Sequence, residues 1–187
     1  SAYHTGIVGK YIFESLTRIP TEVDIASEFR YRDPILTENT LVIIISQSGE
    51  TADTLAALRL AKEKGARVLS IVNVVGSTIA NESDGVIYTA AGPEIAVATT
   101  KAYSTQLAVL YLLCGHFAFE RGLMDADGLS RYLLELQSIP KKINEVLEAN
   151  RERAKELAKL FVPLDHAYYI GRGLDFAAAT EGSLKMK

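Results

Sequence analysis

Leu41-Val42-Ile43-Ile44-Ile45-Ser46-Gln47-Ser48-Gly49-Glu50-Thr51 is the stretch on which the fold turns. Its first five residues are apolar throughout and largely β-branched. That composition predicts a parallel strand covered on both faces and lying near the centre of a sheet. A polar segment ends the strand, and Thr51 to Glu63, rich in Ala and Leu, predicts a helix closed by Gly65.

The same alternation continues downstream. Arg67 to Asn73 reads as a strand, the Gly76-Ser77-Thr78 turn leads into a short helix, and Gly85 to Thr89 reads as a further strand. Upstream, Ile7, Val8, Tyr11, Ile12, Ser15, Leu16 and Ile19 recur at helical spacing before Pro20, and Thr21 to Ala26 alternates charged with apolar as a half-exposed strand would. Strand and helix in turn imply crossover units, hence an α/β fold with a doubly wound parallel sheet flanked by helices and ligands at the carboxyl ends of the strands.

The second half is mostly helical. Thr99 to about Arg121 is apolar nearly all round and must be buried by the sheet, another helix or another subunit. After Gly122, Ile139, Ile143, Val146, Leu147, Ala154, Leu157, Ala158 and Phe161 form one stripe, with Pro140 tolerable in a first turn. His166 to Ile170 reads as a new strand, Gly171-Arg172-Gly173 as a turn, and Leu174 to Lys187 as a helix. The division expected is 1–150 for the first domain and 151–187 for a connecting helix and the truncated start of a second unit.

Composition bounds the chemistry. Twenty Lys plus Arg against 23 Asp plus Glu give a net charge of −3, so no basic field exists to hold a nucleic-acid backbone and no nucleic-acid partner is expected. One cysteine, Cys114, excludes an internal disulfide framework and points to a reducing, cytoplasmic compartment. The longest apolar run, Leu107 to Phe119, is 13 residues and holds Gly115 and His116. A bilayer span takes roughly 20 apolar residues, so this run reads as a buried helix and no membrane is expected. The opening Ser-Ala-Tyr-His-Thr-Gly lacks an initiator Met and the features of a secretory signal, and it reads as cut from a longer chain.

Ser46, Ser48 and Thr51 place hydroxyls around Gly49 where a central strand gives way to a helix N-terminus. Free amides, the positive end of the helix dipole and hydroxyl donors suit a phosphate monoester without a metal. The alternative is that the same serines cap orphan helix amides. The Gly-x4-Gly-Lys pattern of a nucleoside-triphosphate loop is absent. Thr99-Thr100-Lys101 opens the long helix, either as a second wall in which Val97 and Thr99 meet sugar hydroxyls or as another capped start. His4, His116 and His166 have no ligand spacing with one another or with Cys114, so no metal is expected, and His116 reads as a satisfied core or interface residue. Glu181 and Lys185, four apart, suffice as a surface ion pair.

Four runs carry a resemblance: SQSGETADTLAALRLAKEKGA (46–66), GPEIAVATTKAYSTQLAVL (92–110), EVDIASEFRYRDPIL (22–36) and YYIGRGLDFAAATEGSLKMK (168–187). Together they resemble the isomerase region of the glutamine:fructose-6-phosphate aminotransferase (glucosamine-6-phosphate synthase) family, along essentially the whole chain. The resemblance implies two tandem sugar isomerase (SIS) domains of flavodoxin-like α/β fold behind a glutaminase domain. It further implies conversion of fructose 6-phosphate and glutamine to glucosamine 6-phosphate and glutamate, no cofactor, and a cytoplasmic homodimer. The phosphosugars implied as partners are fructose 6-phosphate, glucosamine 6-phosphate and glucose 6-phosphate.

On the same basis Ser46, Gln47, Ser48 and Thr51 would bind the sugar phosphate, with Val97 and Thr99 lining the sugar pocket. Ser1 and Ala2 match a Thr-Ser pair facing the ligand, although Ala2 lacks the hydroxyl, and Glu181 and Lys185 match a Glu and a Lys of the isomerisation site. The family's main catalytic Glu would fall just past Lys187, with a ring-opening His and an imine-forming Lys further on. The expectation for these residues is therefore binding rather than turnover. The family's first strand would precede Ser1, and one hypothesis is that the strand at His166 to Ile170 fills the gap, within the chain or in a swapped dimer. A non-catalytic SIS-type sensor of sugar phosphates is the alternative.

Overall fold

Leu41 to Ser46 forms β1 of a parallel sheet in the computed structural model, which describes residues 1–96 and 98–187. The elements run α1 (Ala2–Thr17), α2 (Ala26–Tyr31), β1 (Leu41–Ser46), α3 (Ala52–Glu63), β2 (Arg67–Val72), α4 (Thr78–Glu82), β3 (Gly85–Tyr88), α5 (Lys101–Glu120), α6 (Ala126–Phe161) and α7 (Leu174–Met186). Among the described residues the sheet has three strands in the order β1-β2-β3, with Ile44 opposite Ser70 and Ser70 opposite Val86.

The period-2 side-chain alternation sends each strand's residues to two different cores. Ile43, Ile45, Ile71 and Ile87 pack with Val8, Ile12 and Phe13 of α1 and Val109, Leu110 and Cys114 of α5. Val42, Ile44, Val68, Val72 and Val86 face the other way, onto Leu58 and Ala61 of α3 and Ile79 and Ala80 of α4. This is the doubly wound α/β layer expected. Burial pushes the Cys114 thiol up to about 12, so it behaves as a small apolar residue. By length and composition α5 could cross a membrane. Here it packs along α1.

Several expected elements differ. β1 pairs only with β2 and so lies at an edge of the described sheet rather than its centre. A continuous apolar run reports two covered faces, not two paired edges. Residues 21–25 belong to no ladder, and Ala26 already begins α2. His166 to Ile170 also forms no ladder; Tyr168 and Ile170 are about nine-tenths exposed, so this segment does not complete the sheet within its own chain. Pro140 lies inside α6 rather than in a first turn, and the helix runs unbroken through residue 150. No residue of α6 is buried: Tyr132 docks its first turns, donating to the Tyr111 carbonyl at 2.9 Å, while Ile143, Val146 and Leu147 stay exposed. α7 folds back on α1, burying Ala177 and Glu181.

Candidate functional site

Loops leave the carboxyl ends of all three strands, and one asparagine ties them together. The Asn73 N–H, just past β2, donates to the Gln47 carbonyl at 3.2 Å in the loop after β1. Its Oδ1 accepts from the Thr89 hydroxyl at 3.0 Å and the Ala91 N–H at 2.9 Å, and its Nδ2 donates to the Gly92 carbonyl at 2.8 Å, both in the loop after β3. The loop after β1, which carries Ser46 to Thr51, and the start of the loop that leads to Thr99 are thus tied to one residue.

In the first loop Ser46 Oγ accepts the Gly49 N–H at 3.1 Å and Ser48 Oγ accepts the Glu50 N–H at 3.2 Å. These amides belong to the turn. The first turn of α3, with Thr51 at the N-cap, receives no side-chain cap. The serines therefore brace the loop as acceptors rather than capping the first turn of α3. Ser46 is buried, Gln47 and Ser48 half-buried and Thr51 exposed, so the cradle grades from core to solvent. Glu50, the one acid in the loop, turns away to accept the Thr78 N–H at 2.7 Å, and that bond holds its carboxyl below the usual carboxylate range.

Gly49 sits at φ 69°, in the left-handed region that glycine tolerates. A Cβ there would lie 2.1 Å from Ser77 Oγ. The start of α4 therefore presses directly on the cradle, fastened by the Ile79 N–H to the Gly49 carbonyl at 3.0 Å.

The loop after β3 supplies Thr99; the Val97 assignment falls outside the described residues. Thr99 is half-buried at φ 48°, a strained conformation for a β-branched residue. Thr100, the N-cap of α5, makes no side-chain cap bond. Glu94 serves instead, accepting the Ala96 N–H at 3.2 Å and the Ala102 N–H at 3.3 Å, so the Thr99 hydroxyl is not spent on capping.

Ser1, Glu181 and Lys185, far apart in sequence, meet in a third cluster. The Ser1 hydroxyl donates to Glu181 Oε1 at 2.7 Å, and Lys185 Nζ lies 2.8 Å from that oxygen and 3.0 Å from Ser1 Oγ. Lys185 also donates to the Ala98 carbonyl, next to Thr99. His4 Nδ1 lies 2.6 Å from Glu181 Oε2. Ala2 contributes backbone to the start of α1 and carries no side-chain donor. His116 is exposed on α5 beside Glu120 at 4.0 Å rather than in the core, and Gly171-Arg172-Gly173 is a turn at the start of α7.

Burial alone would push the Glu181 carboxyl up, but hydrogen bonds from Lys185, Ser1 and His4 outweigh it and hold the group below the usual range. A depressed folded-state pKa contributes stability that is complete above the ordinary glutamate value of about 4.3 and is lost as the pH falls through the lower folded value. Urea midpoints measured between about pH 6 and about pH 3 should fall. Glu181→Gln should fall less steeply over the same interval.

Asn73, Glu94 and His4 were not singled out by sequence. Each works through bonds to residues distant along the chain or to loop amides, and neither spacing nor composition marks such partners.

A parallel sheet flanked by helices, with loops gathered at its strand ends, is the architecture of a sugar isomerase (SIS) domain. Residues 1–114 match the SIS domain family, and the chain belongs to it. Over all 187 residues it is 55% identical to the glutamine–fructose-6-phosphate aminotransferase of Caldanaerobacter subterraneus subsp. tengcongensis and 56% identical to that of Clostridium tetani. It spans 31% of the length of each of these relatives. The C-terminal domain of glucosamine-fructose-6-phosphate aminotransferase from Francisella tularensis superposes with a TM-score of 0.94 at 37% identity, across 98% of this chain and 52% of that one.

Proposed function

We propose that this chain is the sugar-phosphate-binding part of the isomerase region of a glutamine–fructose-6-phosphate aminotransferase. The α3 N-terminus carries the proposal: Thr51 does not cap it, and among the described residues Ser46 and Ser48 act beside it as acceptors of loop amides only. Ser46, Gln47, Ser48 and Thr51 hold the phosphate of fructose 6-phosphate, glucosamine 6-phosphate or glucose 6-phosphate. Thr99 and Ser1, joined through Lys185, meet the sugar, and Val97 is assigned to the same pocket. Glu181 and Lys185 belong to the isomerisation site. The enzyme converts fructose 6-phosphate and glutamine to glucosamine 6-phosphate and glutamate, works with a glutaminase domain, and is a cytoplasmic homodimer. Residues 1–150 form the first SIS domain, and 151–187 the connecting helix and the opening of a second.

One observation favours a binding role for these residues over proton transfer. Glu181 is held ionised with both oxygens engaged, and Lys185 Nζ is spread over three oxygen acceptors, an arrangement that holds and orients groups. That also suits a non-catalytic sugar-phosphate sensor, and turnover of fructose 6-phosphate and glutamine by the full-length protein, rather than by these 187 residues alone, separates the two.

Binding is tested by melting the protein with fructose 6-phosphate or glucosamine 6-phosphate, with fructose as control. At ~100 times the dissociation constant, ligand adds about 2.7 kcal/mol of stability. Ser48→Ala should abolish most of that gain. Stabilisation by fructose alone, or an unaltered Ser48→Ala response, sinks the cradle assignment.

A further inference from the structure

Glu181 projects from α7 with its side chain 7% exposed and each oxygen committed. Oε1 serves Ser1 and Lys185, and Oε2 faces His4. A carboxylate held ionised only accepts hydrogen bonds, so the proton in the 2.6 Å contact belongs to His4 Nδ1 whether the ring is neutral or charged. Lys185 lies one helical turn beyond Glu181, and its ammonium spans Glu181, Ser1 and the Ala98 carbonyl. Ala98 adjoins the strained Thr99.

We infer that His4 is a positioning residue. By holding Oε2 it fixes the plane of the Glu181 carboxylate, which fixes Lys185 and, through the Ala98 carbonyl, the loop bearing Thr99. With no donor at position 4, Oε2 is left in a nearly dry site without its side-chain partner. The carboxylate then turns to share its remaining donors, and the lysine is pulled from the loop. Histidine suits the task because Tyr3 flanks its ring at a centroid distance of 5.8 Å. The effect falls on the sugar end of the ligand, since the phosphate cradle hangs from β1 and α3, which make no bond to this cluster. The inference rests on the sugar-phosphate reading of the site and adds a determinant of sugar recognition to it.

Two measurements on the 187-residue protein test it. Calorimetric titrations compare inorganic phosphate with fructose 6-phosphate for wild type, His4→Leu, which keeps bulk without a donor, and His4→Asn, whose amide N–H stands near the place of Nδ1. His4→Leu should weaken fructose 6-phosphate about tenfold, the usual scale for a lost hydrogen bond to a charged group, leave inorganic phosphate within about twofold, and be rescued by His4→Asn. Nitrogen NMR of the His4 ring should show a protonated Nδ1 that responds to Glu181→Gln. Equal weakening of both ligands in His4→Leu, no rescue by asparagine, or an unprotonated Nδ1 overturns the inference. If wild type binds neither ligand the function above fails instead, and the nitrogen spectrum still decides whether His4 holds Glu181.

Discussion

Gly49→Ala is expected to destabilise the protein by at least about 3 kcal/mol and to abolish sugar-phosphate binding. Two costs add. A side chain at φ 69° enters the left-handed region, at about 1–2 kcal/mol. The new Cβ would also stand 2.1 Å from Ser77 Oγ and 2.5 Å from Ser77 Cβ, so either the loop or the start of α4 must move. Movement strains the bonds that join them, from the Ile79 N–H to the Gly49 carbonyl and from the Thr78 N–H to Glu50. A double-mutant cycle apportions the costs, because Ser77→Gly removes the obstruction but not the backbone strain. Urea unfolding of the two single variants and the pair should give a coupling of about 1–3 kcal/mol. A coupling near zero would mean the loop never leans on α4. Ser77 Oγ is buried without a hydrogen-bond partner among the described residues, so removing that hydroxyl alone costs little.

Leu58→Ala should be about as damaging, at roughly 2–5 kcal/mol. Leu58 is 0% exposed on α3, among Ile44, Val68, Val72 and Ile79, where no surface collapse can refill the space it leaves. Typical domains have only about 5–15 kcal/mol of stability, so the variant should approach the threshold of folding near body temperature. Leu58→Met, which conserves volume, should cost less than about 1.5 kcal/mol. The urea midpoint decides, and a Leu58→Ala midpoint equal to wild type would show that this face of the sheet is not packed as described. Because α3 carries the cradle at its other end, Leu58→Ala should also weaken phosphate binding in proportion to the population unfolded, whereas Ser48→Ala should weaken it with the midpoint unchanged.

Local pattern revealed the elements whose stability is local or whose faces are both buried. The helical spacing from Ile7 to Leu16, the β-branched run at β1 and the Ala-Leu content of α3 all correspond to observed elements. Extended segments were harder. Residues 21–25 and 166–170 have strand-like composition, but a strand exists only where another backbone supplies its ladder, and neither segment meets one. The same physics hid the edge position of β1, since side-chain composition is blind to the hydrogen-bonding direction. In the site, Ser46 and Ser48 were legible because strand, turn and helix N-terminus are contiguous. Ser1, Glu181 and Lys185 stood out through family resemblance, being joined only by the return of α7 onto α1. His4 and Asn73 act across that folded geometry and left no sequence signal.

The position of β1 also shapes how the protein breathes. β2 is laddered on both sides and should hold its amide protons longest, whereas alternate β1 amides face a side with no ladder among the described residues. Among the described residues, the cradle thus grows out of a strand laddered on one flank. Its opening fluctuations need not disturb the β2–β3 half of the sheet, so ligand entry and the integrity of the core can run on separate clocks.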